Sequence, residues 1–178
     1  MTSLRLLGSQ INGESQGDFS GFSTSLSGDG SVLAIGAPLS EGNESSESIR
    51  YYKTADLQDR DSFDDFWNLQ PPFEGDSSQG FQINGADVGS VKVYKQVNGD
   101  WQQLGNEILG DGEHSSFGVS VSLSEDGSVL LIGSPLDDSH SKGQARLYKL
   151  VDNTWTQIGS DLQHEGYFDW YGYSTSLS

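Results

Sequence analysis

Three histidines and 26 carboxylates are the side chains here that could move protons or hold metals. His140 closes the run Asp137-Asp138-Ser139-His140. A carboxylate beside an imidazole is the pairing used both for metal ligation and for acid/base work. His114 and His164 lie in other polar stretches, and no nucleophile is spaced to work with any of the three, so solvated loop positions account for them more simply. Serine is abundant, but no Gly-x-Ser-x-Gly elbow is present to expose one as a nucleophile. The glycine-rich turns match neither a Walker-type loop nor a dinucleotide fingerprint, and neither motif has a helix to open. Cysteine is absent, which removes disulfides, thiolate catalysis and cysteine-based zinc sites.

The elements that would have to position such groups repeat. Gly118 to Pro135 restates Gly21 to Pro38 without a gap, and a third copy begins at Gly172-Tyr173-Ser174-Thr175-Ser176-Leu177-Ser178. Trp101, Gly105, Ile108 and Gly118 recur 54 residues on as Trp155, Gly159, Leu162 and Gly172. Toward the N-terminus, Gly105, Gly118, Gly127 and Pro135 map 97 residues back, onto Gly8, Gly21, Gly30 and Pro38. The natural period is therefore 54, and the first unit carries 43 extra residues between Leu39 and Asp87. Repetition at this length is the mark of stacked or radial units, each unable to bury its apolar faces alone.

Within a unit the signals are those of strands. Val119, Val121 and Leu123 alternate with Ser120, Ser122 and Ser124, and Val129 and Ile132 follow a turn at Asp126-Gly127. Ala145, Leu147 and Tyr148 mark a third strand. A turn at Asp152-Asn153-Thr154 leads into a fourth around Trp155-Thr156-Gln157-Ile158. The expected fold is all-β, built of four-stranded antiparallel meanders. A period of 54 with four strands favours the blades of a partial β-propeller over a sandwich or a solenoid. The units run from about 4 to 100, with an acidic insertion over about 40 to 84, then from about 101 to 154, with a partial unit over 155 to 178. Two and a half periods are fewer than the roughly four to eight blades that close a propeller. The expectation is thus a piece of a longer protein, with assembly of several copies as the alternative.

Charge narrows the partners. A formal charge of −17 with nine Lys and Arg argues against nucleic acid and anionic membranes, both of which need clustered cations. An acidic surface is foremost a solubilising one, and it also suits an extracellular or saline setting, as does the sequon Asn43-Glu44-Ser45. Residues 39 to 88, which hold the insertion, set eleven acidic side chains against three basic ones. Its aromatics lie among the acids, at Phe63, Asp64, Asp65, Phe66 and Trp67, as in a partner-binding loop. Loose packing, or a segment foreign to the fold such as a translated intron, are the other readings.

The pattern Phe117-Gly118 with Gly36-Ala37-Pro38 and Gly133-Ser134-Pro135 resembles the FG-GAP family, the propeller repeats of integrin α-subunits and of many secreted bacterial and algal proteins. The unit is also similar to a repeat variant of marine microbes. Its pattern runs through Trp101, Gly105, Ile108, Ser122-Leu123-Ser124, Asp126-Gly127, Ile132-Gly133, Gly143 and Tyr148. The resemblance implies a non-enzymatic extracellular or cell-surface binding and adhesion module, with a protein or carbohydrate ligand. A propeller-class glycosidase or lyase, and a structural scaffold repeat, are the alternatives. Two departures stand out. Ser20 replaces the phenylalanine of the Phe-Gly pair, leaving a gap unless Phe19 or Phe22 fills it. Calcium-binding members of the family hold the ion in an acidic loop between the first two strands, whereas Ser124-Glu125-Asp126-Gly127 is too short for calcium's six to eight oxygens. Asp126 and Asp29 are therefore expected to serve the hairpin, and no cofactor, metal or catalytic residue is assigned.

Overall fold

The computed structural model describes residues 7–15, 17–40, 88–112, 115–136, 143–163 and 170–178. The chain divides into two units, Met1–Asn43 with Ala86–Ser178 and Glu44–Gly85, and every described residue belongs to the first. The loop Phe63, Asp64, Asp65, Phe66 and Trp67, and all three histidines, lie outside the described residues.

The described residues are all-β, in two antiparallel sheets. In the first, β1 (Ser23–Leu26), β2 (Val32–Ala37), β3 (Ser90–Val97) and β4 (Asp100–Gln103) follow one another as a meander, and β5 (Ile108–Leu109) pairs with the start of β3. The second repeats this with β6 (Ser120–Leu123), β7 (Val129–Ser134), β8 (Gln144–Val151), β9 (Thr154–Gln157) and β10 (Leu162–Gln163). Registers match: Ser23 faces Gly36 as Ser120 faces Gly133, and Tyr94 faces Gln103 as Tyr148 faces Gln157.

The expected four-strand meander is present, with one difference. Its outer strand is in two pieces, β4 then β5 and β9 then β10, because Gly105 and Gly159 take φ of +78° and +76° between them. That left-handed conformation suits glycine and turns the chain out of the ladder.

Turn chemistry sets the hairpins. Asn98 and Gly99, and Asp152 and Asn153, all have positive φ, as a two-residue loop between right-twisted strands requires. Between β1 and β2, Gly30 N donates to Ser27 O at 2.9 Å with Gly30 at φ +73°, and Gly127 does the same with Ser124. Asp29 accepts from Ser27 Oγ, Ser31 N and Ser31 Oγ, and Asp126 accepts from Ser124 Oγ, Ser128 N and Ser128 Oγ. Both carboxylates thus fasten their own turn. These bonds stabilise the charged form and lower both acids, Asp126 to about 2.

Strand alternation decides what is buried. Val32, Ala34, Val91 and Val93 of the first sheet meet Val121, Leu123, Leu130, Ile132, Tyr148 and Trp155 of the second in one core cluster. Leu130 is fully buried, while Leu33, at the same place in its own hairpin, is only half-buried because it sits on the other side of the first sheet. Burying a side chain the size of Leu130 or Ile132 contributes about 1.5–3 kcal/mol, so the shared face stabilises both sheets together.

Candidate functional site

The seam between the sheets is built from three repeated devices. The first is serine. Ser23 Oγ on β1 donates to Gly118 O at 2.7 Å, and Leu123 N donates to Ser25 Oγ at 2.9 Å. On the far side of the second sheet, Ser120 Oγ donates to Gly172 O at 2.7 Å and Leu177 N to Ser122 Oγ at 2.9 Å. The polar residues of the serine-rich strands therefore bond to the next repeat instead of to solvent. Backbone approach is close here, since a Cβ on Gly36 would collide with the Gly118 carbonyl and one on Gly133 with that of Gly172.

The second device is tryptophan. Trp101 Nε1 donates to Leu7 O at 3.0 Å, and Trp155 Nε1 to Leu104 O at 2.9 Å. Each indole lies on a glycine of the preceding repeat, Trp101 on Gly8 and Trp155 on Gly105, with Cδ1 at 2.7 and 2.9 Å from where a Cβ would stand. Only glycine leaves room for the ring and accepts the φ of +77° and +78° found there.

The third device is a cation between two carboxylates. Arg146 on β8 reaches Asp111 at 2.7 Å and Asp161 at 3.0 Å. At the same places in the repeat, Lys92 on β3 contacts Glu14 and lies 3.6 Å from Glu107. The shorter carboxylates accompany the longer cation and the longer ones the shorter. Burial works against both charges, but the paired carboxylates outweigh it and raise Lys92 and Arg146. Asp161 is lowered: partial burial opposes this, and the hydrogen bonds from Arg146 and Gln157 prevail.

The two repeats differ at the Phe-Gly position. Phe117 is 1 % exposed and packs edge-on against Tyr148, with ring centroids 6.3 Å apart. Ser20 stands at the same point beside the first sheet, where a cavity of about 20 Å³ is lined by Ser20, Asp18, Ser90, Lys92, Tyr94 and Glu107 among others. The expected gap is there. Phe19 and Phe22 do not close it, being 42 % and 44 % exposed. A space of this size takes a water or two, and its walls offer hydroxyls, the carboxylates of Glu14, Asp18 and Glu107 and the Lys92 ammonium to a polar group. Burial raises the Tyr94 phenol above its ordinary value, and it stands at neutral pH as a hydroxyl able to donate. Among the described residues no three His, Asp or Glu side chains gather as metal ligands do.

The aromatic and glycine positions of these devices stand out in the sequence by their period. The ion clusters do not. Lys92 becomes Arg146, Glu14 becomes Asp111 and Glu107 becomes Asp161, so identity is lost while charge is kept, and the second carboxylate comes from the following repeat. Aligning charge sign at the 54- and 97-residue offsets would have exposed them. The chain matches no protein-family model and no curated protein at a significant level.

Proposed function

We propose that the two sheets are neighbouring blades of a β-propeller of the FG-GAP kind. In this proposal the chain serves as a non-enzymatic extracellular or cell-surface binding module for a protein or carbohydrate ligand. One observation carries the proposal: the same contacts recur from seam to seam. Beside β1 and β6 the sheets meet glycine backbone to backbone, at Gly36 and Gly118, and at the outer strand an indole lies on Gly105 with the Asn153 carbonyl close by. Repeated contacts of this kind, by which each sheet buries its face on the next, are what the blades of a propeller need. The repeated polar groups are taken up in holding that seam. Recognition is left to what does not repeat: the Ser20 notch and the insertion with Phe63, Asp64, Asp65, Phe66 and Trp67. Fold alone does not fix function, and the adhesion role rests on the family resemblance.

The test is a glycan array together with immobilised cell-surface proteins, probed with the whole chain and with Phe66→Ala/Trp67→Ala. Saturable binding without turnover, weakened at least tenfold by the double variant, is the expected outcome. Depolymerisation of a polysaccharide, abolished by replacing one carboxylate, would overturn it in favour of a carbohydrate-active enzyme.

A further inference from the structure

One corner of the repeat is filled beside the second sheet and hollowed beside the first. Phe117, Gln144 and Arg146 become Ser20, Ser90 and Lys92, and Ser134 becomes Ala37. These four exchanges all shorten the side chain, and they converge on the cavity of about 20 Å³. Ile35 and Tyr94, which also line it, are kept as Ile132 and Tyr148. Around the space so opened, Asn12 and Asp18 stand where the second repeat has Leu109 and Ser115, which makes the wall more polar. Ser20 and Asn12 are exposed, so the space opens outward between them.

A buried hydroxyl in this wall lacks a partner. Ser90 is 3 % exposed, and its pairing with Ala37 puts it on the face of β3 that also carries Lys92 and Tyr94. Its side chain makes no hydrogen bond with any described residue, whereas its counterpart Gln144 accepts from Gln163 Nε2 at 3.0 Å. Buried polar groups are ordinarily paired. Beside Ser90, the Lys92 ammonium has three N–H donors and two carboxylates on it, Glu14 and Glu107. The charges select the guest. An anion would meet Glu14, Asp18 and Glu107, and a cation would compete with Lys92 for the carboxylates it already holds. A neutral hydroxyl donates and accepts at once and suits such a mixed wall. Ile35 and Ala37 are the apolar part of the lining, fit for the carbon that bears the hydroxyl.

We propose that the Ser20 notch seats the exocyclic hydroxymethyl group of a neutral hexose. The methylene packs on Ile35 and Ala37, and the hydroxyl accepts from Lys92 and donates to Ser90 Oγ. Room for a water or two is room for one carbon and one oxygen, so the sugar ring stays outside, beside Ser20 and Asn12. The proposal rests on reading the notch as a place of recognition, and it selects carbohydrate over protein as the ligand there. In the second repeat Phe117 fills the equivalent place and Gln144 is held by Gln163, so that corner takes no guest.

NMR titration of the full chain tests it, following the amides of Ser20, Ser90 and Lys92 against those of Gln144 and Arg146. The methyl pyranosides of glucose, galactose and mannose are the probes, at millimolar concentrations. At least one of them is expected to shift the first set saturably and leave the second in place. The matching xyloside, which lacks the hydroxymethyl group, should bind at least fivefold more weakly, the loss of about one hydrogen bond. Ser20→Phe plugs the notch and should abolish the shifts. Ser90→Ala removes one hydroxyl with no change of shape and should weaken binding severalfold, which keeps the test independent of how the larger ring is accommodated. Equal binding of hexosides and xyloside, saturation of the notch by methylammonium chloride in place of sugars, or no shift with any hexoside would each overturn the proposal. Glycan-array binding that survives Ser20→Phe while hexosides leave the notch unshifted overturns the seat alone and keeps the binding-module reading. A notch that takes hexosides, in a chain that binds nothing on the array or among cell-surface proteins, overturns the module reading and keeps the seat.

Discussion

Trp155 lies on Gly105 and donates from Nε1 to Leu104 O, 51 residues before it, and the pair repeats what Trp101 and Gly8 do one unit earlier. The contact joins successive repeats at their outer strands, so it is an interface within a single chain. Trp155 is 4 % exposed. Trp155→Ala should cost about 3–5 kcal/mol, as for buried aromatics generally. Trp155→Phe keeps the ring, loses the indole donor and should cost about 1–2 kcal/mol. Urea unfolding followed by far-ultraviolet circular dichroism would separate the two. Equal losses would mean that the hydrogen bond, not the packed ring, is the main contact.

At the opposite edge the tolerance is reversed. A single methyl group on Gly36 or Gly133 meets a carbonyl oxygen of the next repeat. Gly36→Ala and Gly133→Ala should each destabilise by about 1–3 kcal/mol, the range for forced overpacking. Gly21→Ala meets nothing within 4 Å and suffers only from its φ of +90°. A larger loss at Gly21 than at Gly36 in thermal denaturation would contradict the close backbone contact between Gly36 and Gly118.

The lowered acids set a pH window. Asp126, at about 2, and Asp161 have folded values below their usual 3.8, so each contributes stability that is full above about pH 4 and lost as pH falls toward 2. The urea midpoint should therefore decline from pH 4 to pH 2 with little change between pH 5 and 7 from these groups. Asp126→Asn should flatten that decline. Arg146→Met leaves Asp161 without its cation, and in that variant Asp161 should titrate closer to 3.8, measurable by NMR of its carboxyl carbon.

The Ser20 notch offers a substitution that adds stability. Phe117 fills the equivalent space and meets Tyr148 edge-on. Ser20→Phe should reproduce that contact with Tyr94 and raise stability by about 0.5–1.5 kcal/mol, the increment of an aromatic pair. Phe117→Ser should cost about 3–5 kcal/mol, as for truncating a buried aromatic. A drop in melting temperature for Ser20→Phe would mean that the polar lining, chiefly Lys92 with Glu107, does not admit a ring.

Much of this fold was legible because it depends on local chemistry. Serine alternation gave β6, Asp126-Gly127 gave its turn, and Asp152-Asn153 gave the hairpin into β9. Ser20 announced a gap that is present. What stayed hidden depends on the next repeat: that Gly105 is a seat, that Ser25 accepts from Leu123, and that Lys92 and Arg146 each gather carboxylates from two units. Residue spacing carries no sign of which unit lies beside which, and the ion clusters change residue type between copies. The break between β4 and β5 was missed for a related reason. Gly105 looks like any strand-ending glycine until a tryptophan from another unit is placed upon it.

Where β2 leaves the first sheet, Gly89 N donates to Ser40 O at 2.9 Å and clamps the two ends of the connection together. The connection between β2 and β3 spans residues 38–89, and its counterpart between β7 and β8 spans only 135–143. Even counted as wholly flexible chain, that lengthening costs about 1.5 kcal/mol of loop-closure entropy, since the cost grows only with the logarithm of length. The separations across the seam, 95 against 52 for the serine bond and 94 against 51 for the tryptophan bond, differ by the inserted length alone. The clamp thus makes this corner a port. The added length leaves the registers of β1, β2 and β3 the same as those of β6, β7 and β8, so the scaffold keeps its pairing whatever the length of chain between Ser40 and Gly89.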